Sequence, residues 1–291
     1  MPAPQKPDIS IAIVCWNMSR ELPKTLLSLS RGFQRNSESL SYEIIVCDNG
    51  SDTLPQLPDM DPAPILITAP EPSKSPVGAL NTALKHANGR WIGAWIDGAR
   101  LASQNLLQGV QAATQLHHNP VIAVPNWQLG PKRQAVSVEE GYCAEVEDRL
   151  LTQAGWPDAN CDLFSVSSPE MASIGGPMLE SNALFLSAGM WCHLDYYDPA
   201  FNEPGGGVAN PDMFVRAVGM DDTQLIRLDS VATFHQTHGG TTTGGTAKAI
   251  DAVKQAARNY ARIRGYPLRA VREKGWIFDV KTGNVIQENP M

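Results

Sequence analysis

The sequence predicts an α/β fold: a mostly parallel central sheet flanked by helices, followed by a more irregular second half. Three observations carry this. Apolar runs of strand length at residues 8–15, 42–47 and 91–96 are continuous rather than alternating, which marks strands buried on both faces. Segments with apolar residues at helical spacing separate those runs. Three strands end on polar residues, Trp16-Asn17, Asp48-Asn49 and Asp97, and open parallel sheets bind ligands at that carboxyl edge.

Taken in order, residues 8–15 form a β-branched first strand, and Ser19 opens a helical pattern carrying Leu22, Leu26, Leu29 and Phe33. The second strand ends on Asp48-Asn49-Gly50-Ser51-Asp52, and a short third strand is predicted over 64–68. Pro76 suits the first turn of a helix whose apolar side is Val77, Leu80, Leu84 and Ala87, with Gly89 as its stop. The run from Trp91 then delivers Asp97 to the sheet edge, followed by Gly98 and Ala99, which carry almost no side chain. Asp97 either caps this turn or faces a bound group. Residues 103–118 read as a helix and 121–124 as a strand. Beyond Pro125 periodicity weakens. A single helix over 138–154, strands over 178–187 and 224–234, and a Gly/Thr-rich loop over 239–246 are expected. A helix striped by Ala249, Val253, Ala256, Ala257, Tyr260 and Ile263 and a tail with one short strand over 276–280 complete the chain.

Lysine plus arginine number 23 against 30 for aspartate plus glutamate, a net charge of −7 with no basic block. Nucleic acid is therefore not an expected partner. The N-terminus lacks the apolar core of a signal peptide, and no run of roughly 18 apolar residues could span a bilayer, so a cytoplasmic location is expected. Cys15, Cys47, Cys143, Cys161 and Cys192 are scattered and never spaced C-x-x-C, which fits free thiols in a reducing compartment.

These motifs resemble those of family 2 glycosyltransferases of the GT-A fold. The aromatic-Asn pair after the first strand is Trp16-Asn17, and the acidic turn after the second is Asp48-Asn49-Gly50-Ser51. The helix Asn is Asn81, and the Asp-x-Asp position is Asp97-Gly98-Ala99. In the second half, Tyr197-Asp198-Pro199-Ala200-Phe201, the run Gly205-Gly206-Gly207, Asn210-Pro211-Asp212 and Arg216 look like the acceptor-side region of that family. Glu180-Ser181-Asn182 and the stretch from Phe234 to His238 resemble segments of a bacterial subgroup whose central motif reads Asp-Gly-Ala-Arg. The resemblance covers roughly residues 8–245.

It implies a GT-A (Rossmann-like) domain with a donor-binding half over 1–125, an acceptor and catalytic half over 126–245, and a C-terminal helix and tail over 246–291. The implied activity is an inverting transfer of a sugar, of hexosyl type, from a nucleotide diphosphate donor to a saccharide or other hydroxyl acceptor in bacterial polysaccharide synthesis. A UDP-sugar is the first choice of donor. Ala99 and Asn210 stand where the family has acids. A catalytically inactive nucleotide-sugar-binding protein of the same fold is therefore the alternative.

Inverting transfer needs a base for the acceptor hydroxyl and positive charge against the departing diphosphate. The resemblance makes Asp212 the base, and its place before a helical stretch also fits an N-cap. Donor recognition would fall to Trp16, Asn17, Asp48, Asn81, Asp97 and Arg100. Here Trp16 stacks on the base or packs in the core, Asp48 accepts an imide N–H, and Asn81 holds the donor or ties its helix to a loop. Glu180, Asn182, Gly206, Gly207 and Arg216 would face the acceptor. A divalent cation, Mn²⁺ or Mg²⁺, is the expected cofactor. With Ala99 offering no second carboxylate, Asp97 needs help from His235 and His238, neutral imidazoles being reasonable ligands for Mn²⁺.

Overall fold

The computed structural model describes residues 6–170, 177–238, 246–272 and 275–287. The first half runs β1 (Ile9–Cys15), α1 (Leu22–Ser28), β2 (Tyr42–Asp48), β3 (Ile65–Thr68), α2 (Val77–His86), β4 (Trp91–Trp95), β5 (Arg100–Ala102), α3 (Leu106–Ala113) and β6 (Pro120–Ala123). The second half adds β7 (Asn126–Leu129), α4 (Gln134–Glu139), α5 (Ala144–Ala154), β8 (Ser167–Pro169), β9 (Ala183–Ser187) and α6 (Ala188–His193). It continues with α7 (Ala209–Val218), β10 (Gln224–Asp229), β11 (Thr233–His235), α8 (Thr246–Arg264), β12 (Trp276–Asp279) and β13 (Val285–Gln287).

Among the described residues, nine strands form the central sheet in the order β13-β12-β10-β6-β9-β4-β1-β2-β3. β9 runs antiparallel to both β4 and β6, and β13 antiparallel to β12; the remaining pairs are parallel. Because side chains alternate between the two faces of a strand, β1, buried on both, is apolar apart from Ser10. Its Ala12 and Val14 pack on one face with Leu80 and Leu84 of α2, Phe214 of α7 and Tyr260 of α8. Its Ile11, Ile13 and Cys15 pack on the other with Leu22 and Leu26 of α1 and Leu106 and Val110 of α3. The mixed α/β fold with a large sheet between helices is the one expected.

Several boundaries differ from expectation. α1 stops at Ser28, where the Ser28 and Ser30 hydroxyls donate to the Thr25 and Leu27 carbonyls; such local bonds compete with the helix. α2 ends at His86 with Ala87 already extended. Gly89 serves a close approach instead, since a Cβ there would lie 2.6 Å from the Ser10 amide nitrogen. The helix expected over 138–154 is two, α4 and α5, separated by Gly141 at φ +92°. The strand expected over 178–187 is only β9, and the one over 224–234 is β10 and β11 in different sheets, broken at Ser230 with φ +65°. The tail carries two strands, and β12 joins the central sheet beside β10. Most of the expected loop over 239–246 lies outside the described residues.

A smaller sheet, ordered β5-β11-β7-β8, stands beside the large one. It encloses its own cluster of Leu101, Leu129, Leu163 and Phe234. Its function here is positional: β5 leaves the Asp97 turn and pairs antiparallel with β11, setting Arg100 opposite His235.

Candidate functional site

The turn between β4 and β5 is held from three directions. The Asp97 Oδ1 accepts from the Ala99 amide at 2.9 Å, and Oδ2 from Arg100 Nε at 2.9 Å. Thr25 of α1 donates its hydroxyl to the Gly98 carbonyl at 2.8 Å and accepts from the Arg100 amide at 3.0 Å. Gln236, just past β11, donates its backbone amide to the Ala99 carbonyl and its side-chain amide to the Thr25 hydroxyl. Asp97 thus does cap its turn, and it also keeps one edge toward the two histidines. Burial pushes its carboxyl up, but Arg100, the imidazoles and the Ala99 amide outweigh that and hold it at about 2. The anion therefore persists at any physiological pH.

His235 and His238 meet this edge. Their Nε2 atoms are 3.0 Å apart, and His235 Nε2 is 3.9 Å from Asp97 Oδ2. One ligand atom from each of Asp97, His235 and His238 lies within 4.8 Å of the others. Burial and the Arg100 charge push the His235 imidazole well below its ordinary range, against the pull of Asp97, so it offers a lone pair rather than a proton. Two nitrogens about 3 Å apart suit neighbouring positions on one divalent cation with bonds near 2.1 Å. The spacing and the mixed N/O donor set therefore fit such an ion. The intervening Thr237 is fixed from α5, whose wholly buried Glu147 accepts from its amide at 2.5 Å and from Arg20 at 3.0 Å.

At the donor edge the expected residues divide. Trp16 is 57% exposed at the end of β1, which rules out core packing. Asn17, at φ +51°, joins its loop to the next strand end: its side chain exchanges hydrogen bonds with Asp52 at 3.0 and 2.9 Å. The Asp48 carboxylate is buried and accepts from the Gly50 and Ser51 amides, at 3.0 Å each, and from the Ser51 hydroxyl, so it builds its own turn. Asn81 clamps the Tyr197 backbone through both amide atoms, at 2.8 and 3.1 Å, and so ties α2 to the following loop, one of its two expected roles. Arg100 is buried against Asp97 and Asn126, bonding Asn126 Oδ1 at 2.8 Å, and it acts on the site through Asp97.

On the acceptor side the geometry stands against the base role for Asp212. It lies inside the first turn of α7, not at its N-cap, which is Val208. Its carboxylate is 0% exposed; Oδ1 accepts from Arg264 Nε at 2.6 Å, and Oδ2 from Arg216 Nε at 2.8 Å and Arg264 Nη2 at 2.7 Å. Among the described residues, these two arginines enclose it. Arg216 is spent as well, donating to the Leu194 and Tyr196 carbonyls at 2.6 and 2.7 Å. Gly206 and Gly207 have positive φ, and a Cβ on Gly207 would lie 2.7 Å from the Glu203 carboxylate; the glycines allow a tight turn. Glu180 is half-buried and Asn182 buried. Both accept from Asn210 Nδ2, at 2.8 and 3.2 Å. The Asn182 carbonyl accepts from the Ile96 amide at 3.4 Å, bringing this loop alongside Asp97.

Thr25, Gln236 and Glu147 escaped the sequence reading. Thr25 alone left a trace, as a hydroxyl among the apolar residues of α1. Trp191 is wholly buried and donates to the Ile92 carbonyl, while Trp127 packs edge-on against Phe164. A second possible ligand cluster, His117, His118 and Asp222, lies largely exposed on the far side of β6. All five cysteines are free. Among the described residues no helix is long and apolar enough to cross a membrane.

Residues 10–124 match the profile of the family described as Glycosyl transferase family 2. Solved structures share the fold. TarS residues 1–349 of S. aureus in complex with UDP-GlcNAc superposes with a TM-score of 0.51 at 13% identity, covering 87% of this chain and 66% of that one. A mannosyltransferase from Pyrobaculum calidifontis, in complex with GDP-Man and Mn²⁺, gives 0.51 at 15% identity, over 92% of this chain and 66% of that one. The longer TarS structure is covered over 39% of its length. The chain thus spans slightly less than two thirds of these neighbours. No curated protein sequence matches significantly. The fold is thus the GT-A fold, and residues 10–124 carry the match to the family 2 profile.

Proposed function

We propose that the protein transfers a sugar, with inversion, from a nucleotide diphosphate donor to a hydroxyl acceptor. One observation carries the reading: exposed Trp16 and Asp97 follow the carboxyl ends of the paired parallel strands β1 and β4, where parallel sheets take ligands, and His235 and His238 meet Asp97 there from the smaller sheet. Trp16 stacks on the nucleobase. Asp97, His235 and His238 hold a divalent cation, which when bound supplies positive charge to the leaving diphosphate. Arg100 keeps Asp97 ionised, and Glu147 and Gln236 fix the histidine segment against the turn. The structural neighbours were captured with a uridine and a guanosine nucleotide, which supports a nucleotide-sugar donor and leaves both bases open. A saccharide acceptor in polysaccharide synthesis belongs to the same proposal.

The locked Asp212 favours weighing a second reading, a binder of nucleotide sugars without turnover. Release of nucleoside diphosphate from UDP-glucose, UDP-N-acetylglucosamine and GDP-mannose, with Mn²⁺ and p-nitrophenyl glycosides as acceptors, separates the two. Release that depends on acceptor supports transfer, whereas tight nucleotide binding with no release supports the binder. Trp16→Ala is expected to weaken UDP or GDP binding about 10- to 100-fold, the loss that follows removal of a stacking platform worth about 1–3 kcal/mol. Calorimetric titration checks this, and an unchanged affinity would remove Trp16 from the donor site.

A further inference from the structure

A base for the acceptor hydroxyl must be a carboxylate with a free lone pair, close to the donor end of the cleft and reachable by a substrate. Three aspartates of the motifs described above fail this test. Asp212 is wholly buried between two arginines. Asp198 is paired with Arg264 Nη1 at 2.8 Å. Asp97 is committed to Arg100 and the Ala99 amide and faces the histidines.

Glu180 is different. It sits in the loop before β9, two residues from Asn182, whose carbonyl is bonded to the Ile96 amide immediately before Asp97. Among the described residues, no Lys, Arg or His side chain forms an ion pair with it, and its one hydrogen bond comes from Asn210 Nδ2 at 2.8 Å. Asn210 is itself fixed: Tyr197 donates to its Oδ1 at 3.3 Å, and its Nδ2 also reaches Asn182 Oδ1 at 3.2 Å. The carboxylate is therefore oriented by a neutral amide, half-buried, and left unneutralised. Burial pushes its carboxyl up against the Asn210 bond and the Arg100 charge, with Glu170 and Asp97 adding repulsion. A carboxylate so placed has more affinity for a proton than an ordinary surface acid.

We propose that Glu180 is the base of this enzyme, oriented by Asn210. The assignment rests on the transferase reading. In the step it performs, the acceptor O–H proton passes to a Glu180 oxygen while the acceptor oxygen bonds to the anomeric carbon. The bond from that carbon to the diphosphate oxygen breaks, and its electron pair leaves with the nucleoside diphosphate. The proton then passes from Glu180 to water.

The test is acceptor-dependent release of nucleoside diphosphate by wild type, Glu180→Gln and the double variant Glu180→Gln with Asn210→Asp, using the donors and p-nitrophenyl glycosides named above. Glu180→Gln should lower kcat about 10²- to 10⁴-fold, the range for a general base, with melting temperature and UDP affinity close to wild type. The double variant reverses the hydrogen bond and moves the carboxylate to position 210; it should recover at least about tenfold. Glu180→Gln turning over within tenfold of wild type would overturn the assignment. So would a loss of stability and UDP affinity matching the loss of rate, without recovery in the double variant. A wild-type protein that binds UDP but releases nothing from any donor would overturn the transferase reading itself, and the base with it.

Discussion

Asp212→Ala is expected to cost about 2–4 kcal/mol of unfolding free energy, somewhat below the 3–5 typical of a broken buried pair. The discount follows from Arg216 and Arg264, whose side chains remain 25% and 21% exposed and so partly hydrated when the carboxylate goes. For a chain of this size that is a fall in melting temperature of roughly 3–7 °C. The loss has a clear origin. Asp212 joins Arg216 of its own helix to Arg264 at the end of α8, and Arg264 also holds Asp198. Without it, α8 loses its ion pair to α7 and keeps, among the described residues, the Arg264–Asp198 pair. UDP affinity should stay within about twofold, because donor contacts lie at the other strand ends. Thermal unfolding with calorimetric binding checks both; unchanged stability with abolished turnover would return Asp212 to the role of base.

His238→Ala should erase the gain in nucleoside diphosphate affinity that Mn²⁺ confers, a loss of about 10- to 100-fold at saturating metal, comparable to losses when a metal site is weakened. Binding without Mn²⁺ should not change. His238 is the cleanest member to remove: it is half-buried, whereas Asp97→Ala would strand buried Arg100 without its partner and confuse stability with binding. Isothermal titration of UDP with and without Mn²⁺ gives the readout, and a metal increment equal to wild type would show that the imidazole takes no part.

The sequence carried the central sheet because a strand buried on both faces has few alternatives to a continuous run such as Ile9–Cys15. It marked Asp97 and the His-x-x-His pair because both sit at element ends, and the structure brings them within 4.8 Å of one another. It did not carry β5, β7, β8 and β11, strands of three or four residues whose pairing comes from distant segments. Nor did residue type reveal whose lone pairs were already used. Asp48, Asn81, Arg216 and Asp212 have the chemistry of donor or acceptor contacts, yet each is consumed by its own turn, loop or ion pair. The Glu180–Asn210 contact spans 30 positions and depends on how α7 meets the loop before β9, which no local pattern encodes.

Asp97, His235 and His238 are proposed to hold the cation that meets the donor diphosphate, and a crystal structure of the protein with UDP and Mn²⁺, with anomalous data collected at the manganese edge, tests this. One manganese peak is expected, bonded to Asp97 Oδ2, His235 Nε2 and His238 Nε2, with the diphosphate on its open side and the uracil against Trp16. Manganese bound elsewhere, or a diphosphate seated in the site with no metal touching these three side chains, would contradict it.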